Sequence, residues 1–158
     1  MPQDLQTHAV ERLESGSVLF CPRLKFAVDP EERGRRAILN LGHTIGHGIE
    51  AVAGYGGLTH GECVSIGLVA ALRLSEQVAG LAPGTAGRSA RLLERHGLPV
   101  SAPGVDPKAV LAAMRHDKKR AAGTHRMVLL EAIGRPVHGV EVGDDLLAEA
   151  VRAATAAH

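Results

Sequence analysis

Three histidines and a glutamate between residues 43 and 60 are of the types that hold a divalent metal. His43 and His47 are four apart, so on a helix they share one face, and Glu50, three beyond His47, joins them. His60 stands at the start of the next predicted helix. If the glycine-rich loop between the two helices, GYGG at 54–57, turns the chain back, His60 meets His43 or His47. Neutral imidazoles offered from two helices suit Zn²⁺, with one coordination position left open where the site is catalytic. Gly42 and Gly46 leave room for a chain segment or a ligand to approach closely. A histidine pair at helical spacing most often faces solvent. A third histidine one helix further on, with an acidic residue nearby, makes this a candidate metal site. The spacing is not HExxH, which argues against a zincin protease. The remaining histidines, His8, His96, His116, His125, His138 and His158, are scattered and read as surface residues.

The elements that must position these groups are mostly helical. Residues 1–20 carry a weak helical pattern (Leu5, Val10, Leu13) that stops at Ser15-Gly16. The charged run 29–36 reads as solvated, with Pro30 suited to a first helical position. A helix is expected from about Arg35 to Ala53, ended by the glycines that follow. Thr59-His60-Gly61-Glu62 matches a capping box and opens a helix with a broad apolar face, closed by Gly80. Thr85 is placed to cap the next helix, with Leu92 and Leu93 facing inward and Gly97-Leu98-Pro99 as its stop. Asp106-Pro107 starts another, with Val110, Leu111 and Met114 on one side. Residues 126–142 read as two strands around a turn at Gly134-Arg135-Pro136, and Asp144 as the cap of a last alanine-rich helix. The expected fold is therefore mainly α: a multihelical domain with one small β-hairpin. No GxGxxG follows a strand and no GxxxxGK[ST] occurs, so no nucleotide-binding unit is visible.

Composition narrows the classes. The chain has 158 residues, 45% of them hydrophobic and 22% charged, which fits a globular domain. Lys and Arg number 18 against 17 Asp and Glu, a balance that speaks against binding nucleic acid or a membrane surface by bulk charge. No apolar run approaches the length of a membrane span and no signal core opens the sequence, so a cytoplasmic protein is expected. Two cysteines, Cys21 and Cys63, make no disulfide framework. With no Trp, one Tyr and two Phe, the core must be aliphatic and closely packed.

The segment 36–50, Arg-Ala-Ile-Leu-Asn-Leu-Gly-His-Thr-Ile-Gly-His-Gly-Ile-Glu, followed by Gly54-Tyr-Gly and His60-Gly-Glu-Cys-Val-Ser-Ile-Gly-Leu, resembles 3-dehydroquinate synthase, of the sugar-phosphate cyclase group. Asp117-Lys118-Lys119, Gly123, Arg126-Met-Val-Leu-Leu and Ala132-Ile-Gly134 extend the likeness, from about Leu24 to the C-terminus. The resemblance implies the helical, metal- and substrate-binding C-terminal domain of a two-domain enzyme, here residues 21–158, with 1–20 unassigned. The N-terminal domain that binds NAD in that family is expected to be absent from this chain. It implies that His43 and His60 ligate a divalent metal, zinc first and cobalt second, and that His47 transfers a proton. Lys25, Arg36 and Asn40 would hold the substrate's phosphate and hydroxyls, Lys118 or Lys119 its carboxylate, and Glu32, matching an acidic residue the family places near the site, is a catalytic candidate beside His47. A further glutamate ligand belongs upstream in the family, and residues 1–20 carry no copy of that motif.

The implied reaction is the metal- and NAD-dependent cyclisation of a seven-carbon keto-acid sugar phosphate with loss of phosphate, a step of the shikimate pathway. A metal there would polarise the carbonyl formed by transient oxidation. Cations would take up charge on the departing phosphate, and a side chain would accept a proton. Because the hydride carrier's domain is expected to be missing, the isolated chain is expected to be inactive. Two other readings remain: a related cyclase that makes a cyclitol, and a non-catalytic homologue that binds metal or a partner chain. Small-residue helices around Ala51, Ala70, Ala71 and Leu74 are expected to leave an apolar patch where the partner domain would sit, and so to favour a homodimer.

Overall fold

The computed structural model describes residues 10–12, 18–20, 37–54, 57–115 and 124–157. Two compact units divide at residue 39: Met1–Leu39 and Asn40–His158. In the first, β1 (Val10–Arg12) pairs antiparallel with β2 (Val18–Phe20), Val10 opposite Phe20. The helical pattern read over 1–20 gives way to strands at 10–12 and 18–20, where Val10, Val18 and Phe20 are of types that favour an extended chain. A 3₁₀ turn forms at Ala37–Asn40.

The second unit is mainly α, with α1 (His43–Ala53), α2 (His60–Val78), α3 (Thr85–Arg95), α4 (Pro107–Arg115) and α5 (Asp144–Thr155). A hairpin of β3 (Thr124–Ala132) and β4 (Arg135–Gly143) joins α4 to α5 in sequence. α2 is the central helix and packs against α1, α3, α5 and β3. Its buried face, including Cys63, Ile66, Ala70, Ala71 and Leu74, forms one core with Ile45 and Ile49 of α1, Val110 and Met114 of α4, Leu129 of β3, and Leu147 and Val151 of α5. Ser75, fully buried, donates its hydroxyl to the Ala71 carbonyl (2.7 Å) and accepts the Leu130 N–H (2.9 Å), tying the hairpin to α2. The Ala102 N–H donates to the Ala154 carbonyl at 2.8 Å and fastens the loop before α4 to α5.

Several local expectations shift. The helix expected from Arg35 starts at His43, because Gly42 takes a left-handed conformation (φ 81°) that breaks the run. Thr85 does not cap α3: its hydroxyl donates to the Ala82 carbonyl, and Glu76 of α2 instead accepts the Ala86 N–H at 2.7 Å. Leu92 points outward, 55% exposed, so α3 buries its opposite face. The hairpin turn is Ile133-Gly134, with Arg135 and Pro136 already in β4. Asp144 is the first residue of α5 rather than its cap, a position that Gly143 takes. Ala70, Ala71 and Leu74 are buried in the core, so only Ala51 of the four residues expected to form an apolar patch is exposed. Among the described residues the large exposed hydrophobics are Val78, Leu92, Leu98 and Ile133. No helix of the described residues is long and apolar enough to cross a membrane.

The capping box forms as the sequence predicts. Thr59 Oγ1 accepts the Glu62 N–H, and Glu62 Oε2 accepts the Thr59 N–H at 2.7 Å and the Thr59 hydroxyl at 2.7 Å. Those bonds from the Thr59 backbone and side chain hold the Glu62 carboxyl below its ordinary value of 4.5. A depressed folded-state value stabilises the fold above the unfolded value and loses that contribution as pH falls through the folded one. As the loss of an N-cap hydroxyl, Thr59→Ala should cost about 1 kcal/mol at neutral pH. That is about 2–4 °C in melting temperature for a chain of this size, and the gap from the parent should narrow below the ordinary glutamate range. Thermal unfolding at neutral and acid pH checks both parts; an acid-independent gap would deny the carboxylate its share.

Candidate metal centre

The site forms along one face of α1, against the head of α2. His43 is the first residue of α1, His47 lies one turn on and Glu50 nearly another, while His60 opens α2. The loop does turn the chain back, and His60 meets both of the other histidines. Ring centroids lie 5.4 Å apart for His43 and His47, 5.7 Å for His43 and His60, and 5.5 Å for His47 and His60.

Glycines set this approach. A Cβ on Gly46 would sit 3.0 Å from the Cys63 carbonyl oxygen, and one on Gly42 would sit 2.6 Å from the Leu68 nitrogen. A Cβ on Gly67 would collide with the Gly42 carbonyl oxygen and lie 2.7 Å from the Gly46 nitrogen. α1 and α2 thus touch backbone to backbone, which carries the His43–Glu50 face up to the head of α2. The room expected beside Gly42 and Gly46 is filled by α2 itself.

Hydrogen bonds orient two of the three rings. His43 Nδ1 lies 3.3 Å from the Leu41 carbonyl oxygen, which can only accept, so the bond places the proton on Nδ1 and leaves Nε2 as the lone pair. His60 Nδ1 lies 2.9 Å from Glu50 Oε2. His47, exposed, borders a cavity of about 110 Å³ between α1 and α4, lined also by Thr44, Gly48, Ala51, Ala113 and Met114.

The donor set fits a divalent metal. His47, Glu50 and His60 each offer one ligand atom, all within 4.8 Å of one another. Donors about 2.1 Å from a shared ion are at most about 4.2 Å apart, so modest side-chain rotation brings the three to coordination distance. Two imidazoles and a carboxylate suit zinc and its neighbours. The sequence placed Glu50 on the histidine face; its bond to His60 and the cavity residues Thr44, Ala113 and Met114 carried no signal there. Negative charge from this carboxylate also reaches the core: burial first, then Glu50 and Glu62, pushes the Cys63 thiol above its ordinary value.

Asn40, half-buried, ends the 3₁₀ turn three residues before His43. Lys25, Glu32, Arg36, Lys118 and Lys119 lie outside the described residues, as do His8, His116 and His158. Of the histidines read as surface residues, His96 and His138 are exposed. His125 is not: it is 8% exposed, under α5, with Nε2 at 3.2 Å from Asp144 Oδ1. Its place on the inward side of β3 buries it, and the ionisable partner makes that burial tolerable.

A relative from Acinetobacter baylyi, a 3-dehydroquinate synthase, is 39% identical over 132 residues, covering 84% of this chain and 36% of the relative. Another 3-dehydroquinate synthase, from Methylacidiphilum infernorum, is 43% identical over 112 residues, 71% of this chain and 31% of its own. The chain spans about a third of the length of the curated relatives it matches. Among solved structures, a 2-deoxy-scyllo-inosose synthase complexed with carbaglucose-6-phosphate, NAD⁺ and Co²⁺ superposes with a TM-score of 0.70 at 26% identity, over 84% of this chain and 40% of that one. A 2-epi-5-epi-valiolone synthase from Streptomyces hygroscopicus shares the fold, with a TM-score of 0.65 at 22% identity over 83% of this chain and 37% of that one. The family model for the 3-dehydroquinate synthase C-terminal region matches residues 7–120. That match takes in both helices and every histidine of the cluster, and by it the chain belongs to the 3-dehydroquinate synthase C-terminal family.

Proposed function

We propose that this chain supplies the metal- and substrate-binding half of a sugar-phosphate cyclase of the 3-dehydroquinate synthase type, acting on a seven-carbon keto-acid sugar phosphate with loss of phosphate. The observation that carries the reading is the convergence of His43, His47 and Glu50, on one face of α1, with His60 at the head of α2. Support comes from the 2-deoxy-scyllo-inosose synthase structure, which holds NAD⁺, Co²⁺ and a sugar-phosphate analogue on a related fold.

In this reading His43 and His60 hold the metal, zinc or cobalt, which when bound polarises the substrate's hydroxyls and carbonyl. His47 accepts the proton lost as phosphate leaves; its place on the rim of the 110 Å³ cavity gives it access to a bound ligand. Asn40, Arg36 and Lys25 hold the substrate's phosphate and hydroxyls, Lys118 or Lys119 its carboxylate, and Glu32 is the further catalytic candidate beside His47. The hydride carrier, NAD, is held by a partner domain of the family's other half.

The solved structures favour a second reading, a cyclase whose sugar phosphate lacks a carboxylate and whose product is a cyclitol. Fusing this chain to the N-terminal half of the Acinetobacter baylyi relative distinguishes the two. The fusion, with NAD and Zn²⁺, should release phosphate from the seven-carbon keto-acid sugar phosphate and not from a six-carbon sugar phosphate without the carboxylate. The 158-residue chain alone, given the same mixture, should release none. Preference for the carboxylate-free substrate would overturn the first reading, and sustained turnover by the chain alone would overturn the need for a second half.

A further inference from the structure

We propose that Glu50 is a positioning residue: it keeps the proton of His60 on Nδ1, so that the ring presents Nε2 as its lone pair to the histidine cluster. An ionised carboxylate can only accept, so the 2.9 Å contact between Glu50 Oε2 and His60 Nδ1 requires the hydrogen on that nitrogen. With Nδ1 so engaged, Nε2 is the one ring nitrogen of His60 left to ligate. His43 is set the same way by the Leu41 carbonyl, so two of the three rings are fixed in one tautomer by hydrogen bonds from α1 and the residue pair before it.

Placement favours this role. Glu50 lies two turns along α1, and His60 is the first residue of α2, so the contact spans the junction and ties the loop's two ends together. The carboxylate stands at a helix N-terminus, where negative charge is favoured. Among the described residues the Glu50 side chain has no other hydrogen-bond partner. The pair is partly exposed, 53% for His60 and 42% for Glu50, and contributes little to stability. Its effect is on the ring's tautomer and orientation, as with the carboxylates that back metal-binding histidines elsewhere.

The functional consequence rests on the reading of His60 as a metal ligand; the tautomer does not, and the two are measured separately. The tautomer is read by long-range ¹H–¹⁵N correlation spectra of the metal-free 158-residue chain, with ¹⁵N-labelled histidine. The spectra are recorded at about pH 8, where imidazoles are ordinarily neutral. His60 should carry its proton on Nδ1. In Glu50→Ala it should revert to the Nε2–H form that an unrestrained imidazole prefers, and Zn²⁺ affinity should fall about tenfold. Glu50→Gln, whose amide oxygen still accepts, should retain the Nδ1–H form and most of the affinity. An Nε2–H signal for His60 in the parent, or no change in Glu50→Ala, overturns the proposal. So does a zinc loss in Glu50→Gln equal to that in Glu50→Ala with the tautomer retained, since Glu50 would then be a ligand itself. Unchanged zinc affinity in His60→Ala would instead overturn the ligand reading and leave the tautomer result standing.

Discussion

Gly67→Val should dismantle the metal centre without altering any side chain in it. Gly67 sits on α2 where a Cβ would collide with the Gly42 carbonyl oxygen and lie 2.7 Å from the Gly46 nitrogen. Both obstacles are backbone, so neither can rotate away; the helices must separate. Overpacking of this kind costs about 1–3 kcal/mol and occasionally more, and valine adds a β-branched side chain to the collision. A loss of about 3 kcal/mol would lower the melting temperature by about 6–12 °C for a chain of this size. The more telling effect is on the site. His43 and His60 rings, 5.7 Å apart between centroids, are held at that distance by the α1–α2 contact, so Zn²⁺ binding should be lost in the folded fraction. Gly61→Ala is the control. Gly61 is the neighbour of His60 in the same motif, yet nothing lies within 4 Å of a Cβ there. Alanine at that helical position should leave stability unchanged or raise it, with zinc binding intact. Calorimetric zinc titration beside thermal unfolding checks both variants. A Gly67→Val protein as stable and as tight for zinc as the parent would mean that the close helix contact does not build the site.

His60→Ala should abolish measurable Zn²⁺ binding, and the comparison between His43→Ala and His47→Ala should then divide the roles. Under the proposed function His43 and His60 are the ligands. His43→Ala should therefore cost about 100-fold or more in affinity, above the range typical of an outer-shell partner, while His47→Ala stays within about tenfold. The alternative geometry is specific: His47, Glu50 and His60 already offer ligand atoms within 4.8 Å of one another. If those three hold the ion, His47→Ala is the costly substitution and His43→Ala the mild one. His43 and His47 are α1 residues whose replacement by alanine raises helix propensity, so neither variant should unfold the chain. His96→Ala, on the exposed end of α3, is the control and should bind zinc as the parent does.

Much of this centre was legible in the residues themselves. Helical period alone places His43, His47 and Glu50 on one face, and the Thr59–Glu62 capping box fixes where the next helix starts, so His60 falls at its head. These are local features: a side chain's direction on a helix, and a side-chain bond to the nearest free backbone N–H. The hairpin and the alanine-rich last helix follow from period and turn residues in the same way, although the turn itself moved to Ile133-Gly134.

What local pattern could not carry was decided by contacts distant in sequence. The helix expected from Arg35 begins at His43 because Gly42 adopts a left-handed conformation where its backbone meets Gly67 and Leu68 on α2. α3 is capped by Glu76 of α2 rather than by its own Thr85. His125 is buried and beside Asp144, and Ala70, Ala71 and Leu74 face the core, because α2 is covered on several sides at once. The same holds within the site. Sequence spacing left open whether His60 meets His43 or His47, and the backbone contact of two glycine-bearing helices brings it to both. Periodicity tells which side chains share a face; only the packing of one face on another tells how far apart two faces lie, and a metal centre depends on that distance.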